Sequence, residues 1–121
     1  LGSVMGEIPM GDQAYSYSVS KAGVHHMTKI LAKELGPRRI TINALAPGPF
    51  QSGMTKFALG EDKGSARVAA RVPAGRLGRP EDIAGAIQFL CGAGGAYVTG
   101  AILPLSGGIN VATGPSIFGE D

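Results

Sequence analysis

Between Ile83 and Gly119 the chain carries no charged side chain, and that run limits the folds open to it more than any other feature. Its apolar centre, Ile87 to Leu105, is 19 residues long, enough to cross a bilayer once as a helix. But Gly92, Gly94, Gly95, Gly100 and Pro104 fall inside it and would break such a helix. A helix ending near Cys91, a glycine-rich loop and a short buried strand use the same residues without a membrane.

The rest of the chain extends this alternation. Val24, Met27, Leu31 and Leu35 recur at the spacing of one helix face within Tyr17 to Leu35. Gly36 followed by Pro37 is a stop, with Gly36 expected as the left-handed cap. Arg39 to Leu45 is β-branched, is bounded by Pro47 and reads as a strand, after which Pro47-Gly48-Pro49 forces a loop. Short helices are expected over Met54 to Leu59 and Ser65 to Val72. Pro80 opens a further helix with Glu81 and Asp82 at its positive end and Ile83, Ile87, Leu90 and Cys91 as its buried stripe. Ala101 to Leu105 is the last strand, and Pro104 favours a sheet edge. The pattern predicts an α/β protein with a parallel sheet, right-handed crossovers placing the long helices on opposite faces.

Two strands make a poor open sheet, however, and the chain opens Leu1-Gly2-Ser3-Val4 with no initiator Met and no visible signal peptide. The expectation is a cytoplasmic protein of which part of the fold lies upstream.

Composition works by exclusion. With 20 Gly and 8 Pro in 121 residues the chain approaches the disordered range, but 44% apolar content and the absence of a short repeat point to one packed domain. Eleven basic and nine acidic residues leave a net charge of +2, too balanced to suggest nucleic acid or another polyanion as partner. A single cysteine excludes a disulfide framework and a multi-cysteine zinc site, and Cys91 is expected as an inert buried thiol. His25 and His26 are adjacent, so they point to different faces and serve packing or interface contacts rather than a metal; no metal site is expected. Arg67, Arg71, Arg76 and Arg79 form a mild basic cluster, read as a solvated face or as a contact for an acidic carrier or thioester substrate.

The chemistry concentrates in Tyr17-Ser18-Val19-Ser20-Lys21. Positions i and i+4 share a helix face about 6 Å apart along the axis. Bringing a phenol from its ordinary pKa near 10 to about 7 requires roughly 4 kcal/mol of preference for the phenolate. One ammonium at about 6 Å and an effective dielectric near 20 supplies approximately 2.8 kcal/mol, and a bound cationic cofactor ring could supply the rest. The spacing alone recurs by chance in many helices as a surface pair.

Other motifs stand in register with it. Gly2-Ser3-Val4-Met5-Gly6 lies upstream; Asn43-Ala44-Leu45-Ala46-Pro47-Gly48, Gly78-Arg79-Pro80-Glu81-Asp82-Ile83-Ala84 and Tyr97-Val98-Thr99-Gly100 follow. In this order, from Leu1 to about Asn110, they closely resemble the short-chain dehydrogenase/reductase family, and Tyr17 to Thr28 looks most like its 3-oxoacyl-carrier-protein reductase-like members, including those tied to rhamnolipid synthesis. The resemblance implies the C-terminal half of a doubly wound, Rossmann-like domain, so that residues 1–121 form a partial NAD(P)-binding unit. It implies an oxidoreductase moving a hydride between NADP or NAD, NADP preferred, and a carbonyl or secondary alcohol, with a 3-oxoacyl thioester among the candidate substrates.

By that resemblance Tyr17 is the general acid/base. Lys21 tunes it and holds the nicotinamide ribose, and Ser3 hydrogen-bonds the substrate carbonyl. Pro47 and Gly48 match the loop against the nicotinamide, Phe50 falls where an aliphatic residue packs near the carboxamide, and Ser52 falls where a Thr bonds it. Met54 to Val72 corresponds to the substrate loop. A homodimer or homotetramer is implied for the full-length protein. The Ser3 to Tyr17 interval is one residue longer than the family's usual one, a small entropic change, and Leu105-Ser106-Gly107-Gly108 lacks the usual acidic residue. Tyr15 has Val19, not Lys, four residues on. The family's phosphate-binding Gly-rich turn has no counterpart: Gly92-Ala93-Gly94-Gly95 follows no strand, and Gly60 to Ser65 lacks the order of a P-loop. The isolated 121-residue stretch is therefore expected to be inactive, with an apolar strand edge prone to aggregation. A non-catalytic subunit-contact module is the alternative reading.

Overall fold

A computed structural model of the chain describes residues 1–10, 14–51 and 62–112. It orders a 3₁₀ turn at Val4–Gly6, helix α1 (Tyr15–Leu35), strand β1 (Ala44–Pro47), helices α2 (Asp62–Arg71) and α3 (Pro80–Cys91), and strand β2 (Ile102–Leu105). β1 and β2 pair in parallel, with Ala44 opposite Ile102 and Pro47 opposite Leu105. The two helices between them form the crossover that a parallel pair requires. On its other side the Leu45 carbonyl accepts the Gly2 N–H at 2.8 Å, so β1 has a neighbour on both flanks. The α/β character expected from the sequence is what the chain adopts.

Helix α1 begins two residues before Tyr17, which leaves Tyr17 in the first turn. Its buried side is not the expected row of Val24, Met27, Leu31 and Leu35. His25, Thr28 and Ala32 are the buried residues, and Met27 is half exposed. Small or hydrogen-bonded side chains let the helix approach the 3₁₀ turn and β1 closely. Thr28 satisfies its hydroxyl by donating to the Val24 carbonyl at 2.8 Å.

The end of α1 also differs. Gly36 stays right-handed (φ −54°) and opens a 3₁₀ turn with Pro37, where a missing N–H costs nothing; the left-handed residue is Arg39 (φ 60°). The Arg39 N–H reaches the Gly36 carbonyl and the Ile40 N–H the Leu35 carbonyl, the paired bonds of a Schellman cap closed without glycine. The strand then starts at Ala44 rather than Arg39. Before it, the chain is stapled to the segment ahead of β2 by side chains: Asn43 donates to the Val98 carbonyl and accepts from the Ala101 N–H, and the Thr99 hydroxyl accepts the Ile42 N–H.

The second half follows the expected order with altered burial. The anticipated helix over Met54 to Leu59 lies outside the described residues, and the next one runs Asp62–Arg71. Pro80 is the first residue of α3, and the Asp82 carboxylate accepts the Arg79 N–H at 2.8 Å while taking both Arg76 guanidinium nitrogens at 2.8 and 3.1 Å. That pairing holds the Asp82 carboxyl down to about 2 and pushes Arg76 up. The stripe expected to be buried on α3 is not: Ile83 and Leu90 are half-buried, Ile87 is 47% exposed and Cys91 is exposed. Among the described residues little besides the loop Ala93–Gly95 covers this helix.

The apolar core gathers Val4, Ala32, Ala44, Leu45, Ala46, Val72 and Leu77. Gly107 (φ 63°) sits so close to Val72 that a Cβ there would stand 2.5 Å from a valine methyl. No described helix is long and apolar enough to cross a membrane.

Candidate active site

The N-terminal turns of α1 carry the central pair. Tyr17 is 47% exposed, and the Lys21 Nζ lies 5.6 Å from the centre of its ring, close to the separation that the helical spacing implies. The same ammonium donates to the Leu1 carbonyl at 3.2 Å, which ties α1 to the segment containing Ser3. An ammonium has three donors; Leu1 is its one hydrogen-bond acceptor among the described residues, so two remain for a ligand such as vicinal hydroxyls. The donor set fits a ribose.

Ser3 is buried and fixed through three groups. Its N–H donates to His25 Nε2 at 3.2 Å, its carbonyl accepts the Gly6 N–H at 2.9 Å, and its hydroxyl oxygen accepts the Met5 N–H at 3.1 Å. The hydroxyl hydrogen is not used in that last bond and stays available to an acceptor such as a carbonyl oxygen.

His25, expected to serve packing or interface contacts, is buried and hydrogen-bonded through both ring nitrogens. It is 3% exposed, and its Nδ1 lies 2.6 Å from Glu7 Oε1. Since Nε2 accepts from Ser3, the hydrogen sits on Nδ1 and points at the carboxylate, a tautomer assigned from its partners. A signal was present: Tyr17, Lys21 and His25 continue one i, i+4 row. Glu7, in a turn, left none. His26, on another face, is exposed.

The remaining anticipated residues are placed less directly. Pro47 ends β1 and Gly48 follows it, its N–H bonding the Leu105 carbonyl, and a Cβ there would stand 2.9 Å from the Ser106 Cβ and 3.0 Å from an Ile109 methyl. Phe50 bridges to Gly78 and lays its ring on that glycine. There it lines a hollow of about 220 Å³ with Arg76, Asp82, Leu105 and Ser106. Ser3, Tyr17 and Lys21 are not among its walls. Ser52 lies outside the described residues. Of the basic cluster, Arg76 is committed to Asp82, while Arg67, Arg71 and Arg79 are exposed. Beside the Ser3 turn, a groove of about 380 Å³ runs between Met5, Ile8 and Met10 on one bank and Tyr15, Val19 and Ala22 on the other. Its walls are mostly apolar.

Residues 1–110 match a family model described as enoyl-(acyl carrier protein) reductase. The rhamnolipids biosynthesis 3-oxoacyl-[acyl-carrier-protein] reductase of Pseudomonas aeruginosa is 42% identical over 111 residues, covering 92% of this chain and 43% of the relative. The 3-oxoacyl-[acyl-carrier-protein] reductase FabG of Escherichia coli K12 is 44% identical over 109 residues, covering 90% and 43%. In three dimensions the chain superposes on the Pseudomonas aeruginosa RhlG/NADP active-site complex with a TM-score of 0.83 at 43% identity, covering 90% of this chain and 44% of that one. It superposes on an actinorhodin polyketide ketoreductase with NADPH at a TM-score of 0.82 and 33% identity, covering 90% and 45%. The chain thus spans under half the length of the curated relatives it matches.

Proposed function

Because this chain belongs to the short-chain dehydrogenase/reductase family, we propose that it forms the catalytic half of a Rossmann-like oxidoreductase that moves a hydride between NADP(H) and a carbonyl or secondary alcohol. The observation that carries the proposal is the Lys21 ammonium lying 5.6 Å from the Tyr17 ring while bonded to the Leu1 carbonyl, two residues from Ser3. NADP is preferred over NAD on the relatives' own complexes. When bound, that cofactor supplies the hydride. The chain's residues do the rest. Ser3 donates its hydroxyl hydrogen to the carbonyl oxygen as charge builds there. Tyr17 passes its phenolic proton to the same oxygen in reduction and takes it back in oxidation. Lys21 places its ammonium over the Tyr17 ring and offers its two remaining donors to the ribose. Pro47, Gly48, Phe50 and Ser52 complete the nicotinamide side of this reading.

The apolar groove beside Ser3 suits a 3-oxoacyl thioester, whose acyl chain is apolar and whose reacting carbonyl sits at one end. A homodimer or homotetramer belongs to the same proposal, and the exposed Met27 and Ile30 give α1 an apolar surface for it. The test is oxidation of NADPH by the full natural polypeptide carrying these residues, with a 3-oxoacyl thioester. Tyr17→Phe should lower kcat about 10²- to 10⁴-fold. A polypeptide that retains no nucleotide, shows no turnover and co-purifies with an intact reductase would instead support a subunit-contact module.

A further inference from the structure

We propose that His25, oriented by Glu7, is a positioning residue for Ser3, acting through its backbone rather than its hydroxyl. This rests on the function proposed above. The sequence of groups Ser3, His25, Glu7 has the order of an acyl-transfer triad, but the bonding is different. His25 Nε2 accepts the Ser3 backbone N–H at 3.2 Å, and the Ser3 hydroxyl oxygen is occupied as an acceptor for Met5 N–H at 3.1 Å. With the Nε2 lone pair taken by that N–H, the imidazole draws no proton from the hydroxyl. What it fixes is the peptide plane from which that hydroxyl projects.

Three features make the contact a mounting point rather than ordinary packing. The ring is 3% exposed and both its nitrogens are used, Nδ1 toward Glu7 Oε1 at 2.6 Å. The backbone closes on the ring from two sides: a Cβ at Gly2 would stand 2.0 Å from Nε2, and one at Gly6 would stand 3.0 Å from Cε1. Finally, His25 belongs to the same i, i+4 row as Tyr17 and Lys21. One rigid helix thus carries Tyr17, then Lys21 about 6 Å and His25, the acceptor that holds Ser3, about 12 Å further along its axis. The separation between the oxyanion donor and the acid/base is set by a helix, not by the loop joining Ser3 to Tyr17. Glu7 sets the tautomer, because a hydrogen held on Nδ1 leaves Nε2 free to accept.

The experiment is a double-mutant cycle in NADPH-dependent reduction of a 3-oxoacyl thioester by the full natural polypeptide. His25→Ala should lower kcat about 10- to 100-fold, the size of effect that loss of alignment produces, with KM for NADPH within about twofold. His25→Gln, whose amide oxygen can accept from Ser3, should recover most of that loss. In a Ser3→Ala background, His25→Ala should cost less than about twofold more, since residues acting as one unit are non-additive. Full multiplication of the two losses, or a His25→Gln as slow as His25→Ala, overturns the proposal. Should the alanine variant not fold, ¹⁵N NMR of the unsubstituted protein decides: the Nδ1–H tautomer supports the proposal, and Nε2–H overturns it. Full activity in Tyr17→Phe would instead sink the underlying function, which keeps the two failures apart.

Discussion

Gly2→Ala tests the clasp around His25 through stability alone. The added Cβ would lie 2.0 Å from His25 Nε2 and 2.4 Å from Cδ2. A relaxed contact needs about 3.5 Å, so the ring or the Gly2 backbone must retreat by roughly 1.5 Å. The ring cannot retreat without stretching its 3.2 Å bond from Ser3, and the backbone cannot without stretching the 2.8 Å bond from Gly2 N–H to Leu45. An N–H···N separation near 4.7 Å is no hydrogen bond. Orphaning one buried N–H costs about 1–3 kcal/mol, and forcing extra volume into a packed site costs about 1–3 kcal/mol more. The expected loss is about 2–6 kcal/mol, a large part of a typical domain's stability of roughly 5–15 kcal/mol. Denaturant melts of parent and variant measure it. A change below about 0.5 kcal/mol would show that the ring and Gly2 are not in contact, and the geometry assigned to Ser3 would fall with it.

Other positions respond differently. Gly85→Ala, in the α3 interior with open space around it, should stabilise by about 0.5–1 kcal/mol in the same melts. Gly107→Ala should destabilise by at least about 1 kcal/mol, from its φ of 63° and the 2.5 Å approach to Val72, and Val72→Ala should make the second loss smaller in combination, read as a coupling energy. The Asp82 carboxyl is held at about 2, below its ordinary 3.8. Its stabilisation is present above pH 4 and disappears as the pH falls from about 4 toward 2. An Asp82→Asn variant should lose that part of the acid transition, followed by circular dichroism between pH 2 and 6.

How much of this could be read beforehand depended on whether the signal was local. Pro80, Glu81 and Asp82 announced α3 because a helix start is written within four residues. Tyr17 and Lys21 announced their own proximity for the same reason. Gly36 misled, because the residue that leaves the helix left-handed is chosen by where Pro37 sits in the turn, and that fell to Arg39. Arg39 to Asn43 has strand-like composition, yet its partners lie 55 to 58 residues away, where the Ile42 N–H meets the Thr99 hydroxyl, the Ile42 carbonyl the Gly100 N–H and the Asn43 side chain the Val98 carbonyl and the Ala101 N–H, which no window along the chain can register. The α3 stripe failed for a converse reason: amphipathic spacing states that a face can be covered, not that the described residues cover it. The row of Tyr17, Lys21 and His25 is legible in the sequence, but the partners of the two His25 nitrogens, Ser3 and Glu7, lie 22 and 18 residues away and are not.

The staple at Asn43 has a consequence for the order in which the molecule assembles. Pairing Ala44 with Ile102 closes 58 residues of chain, whereas the Ser3 to His25 bond closes 22. On loop-closure entropy alone the sheet contact starts about 0.9 kcal/mol behind, and it gains its main-chain bonds at Ile42 and Ala44 and its side-chain clasps at Asn43 and Thr99 only when Val98 to Ala101 arrives. The segment bearing Ser3 and the helix bearing Tyr17 can therefore meet first, with β2 docking onto a β1 already held at Gly2. In pulse-labelling hydrogen exchange, the Ser3 amide should gain protection before that of Ala101. On that order the segments holding the proposed site come together before the sheet that supports them is complete.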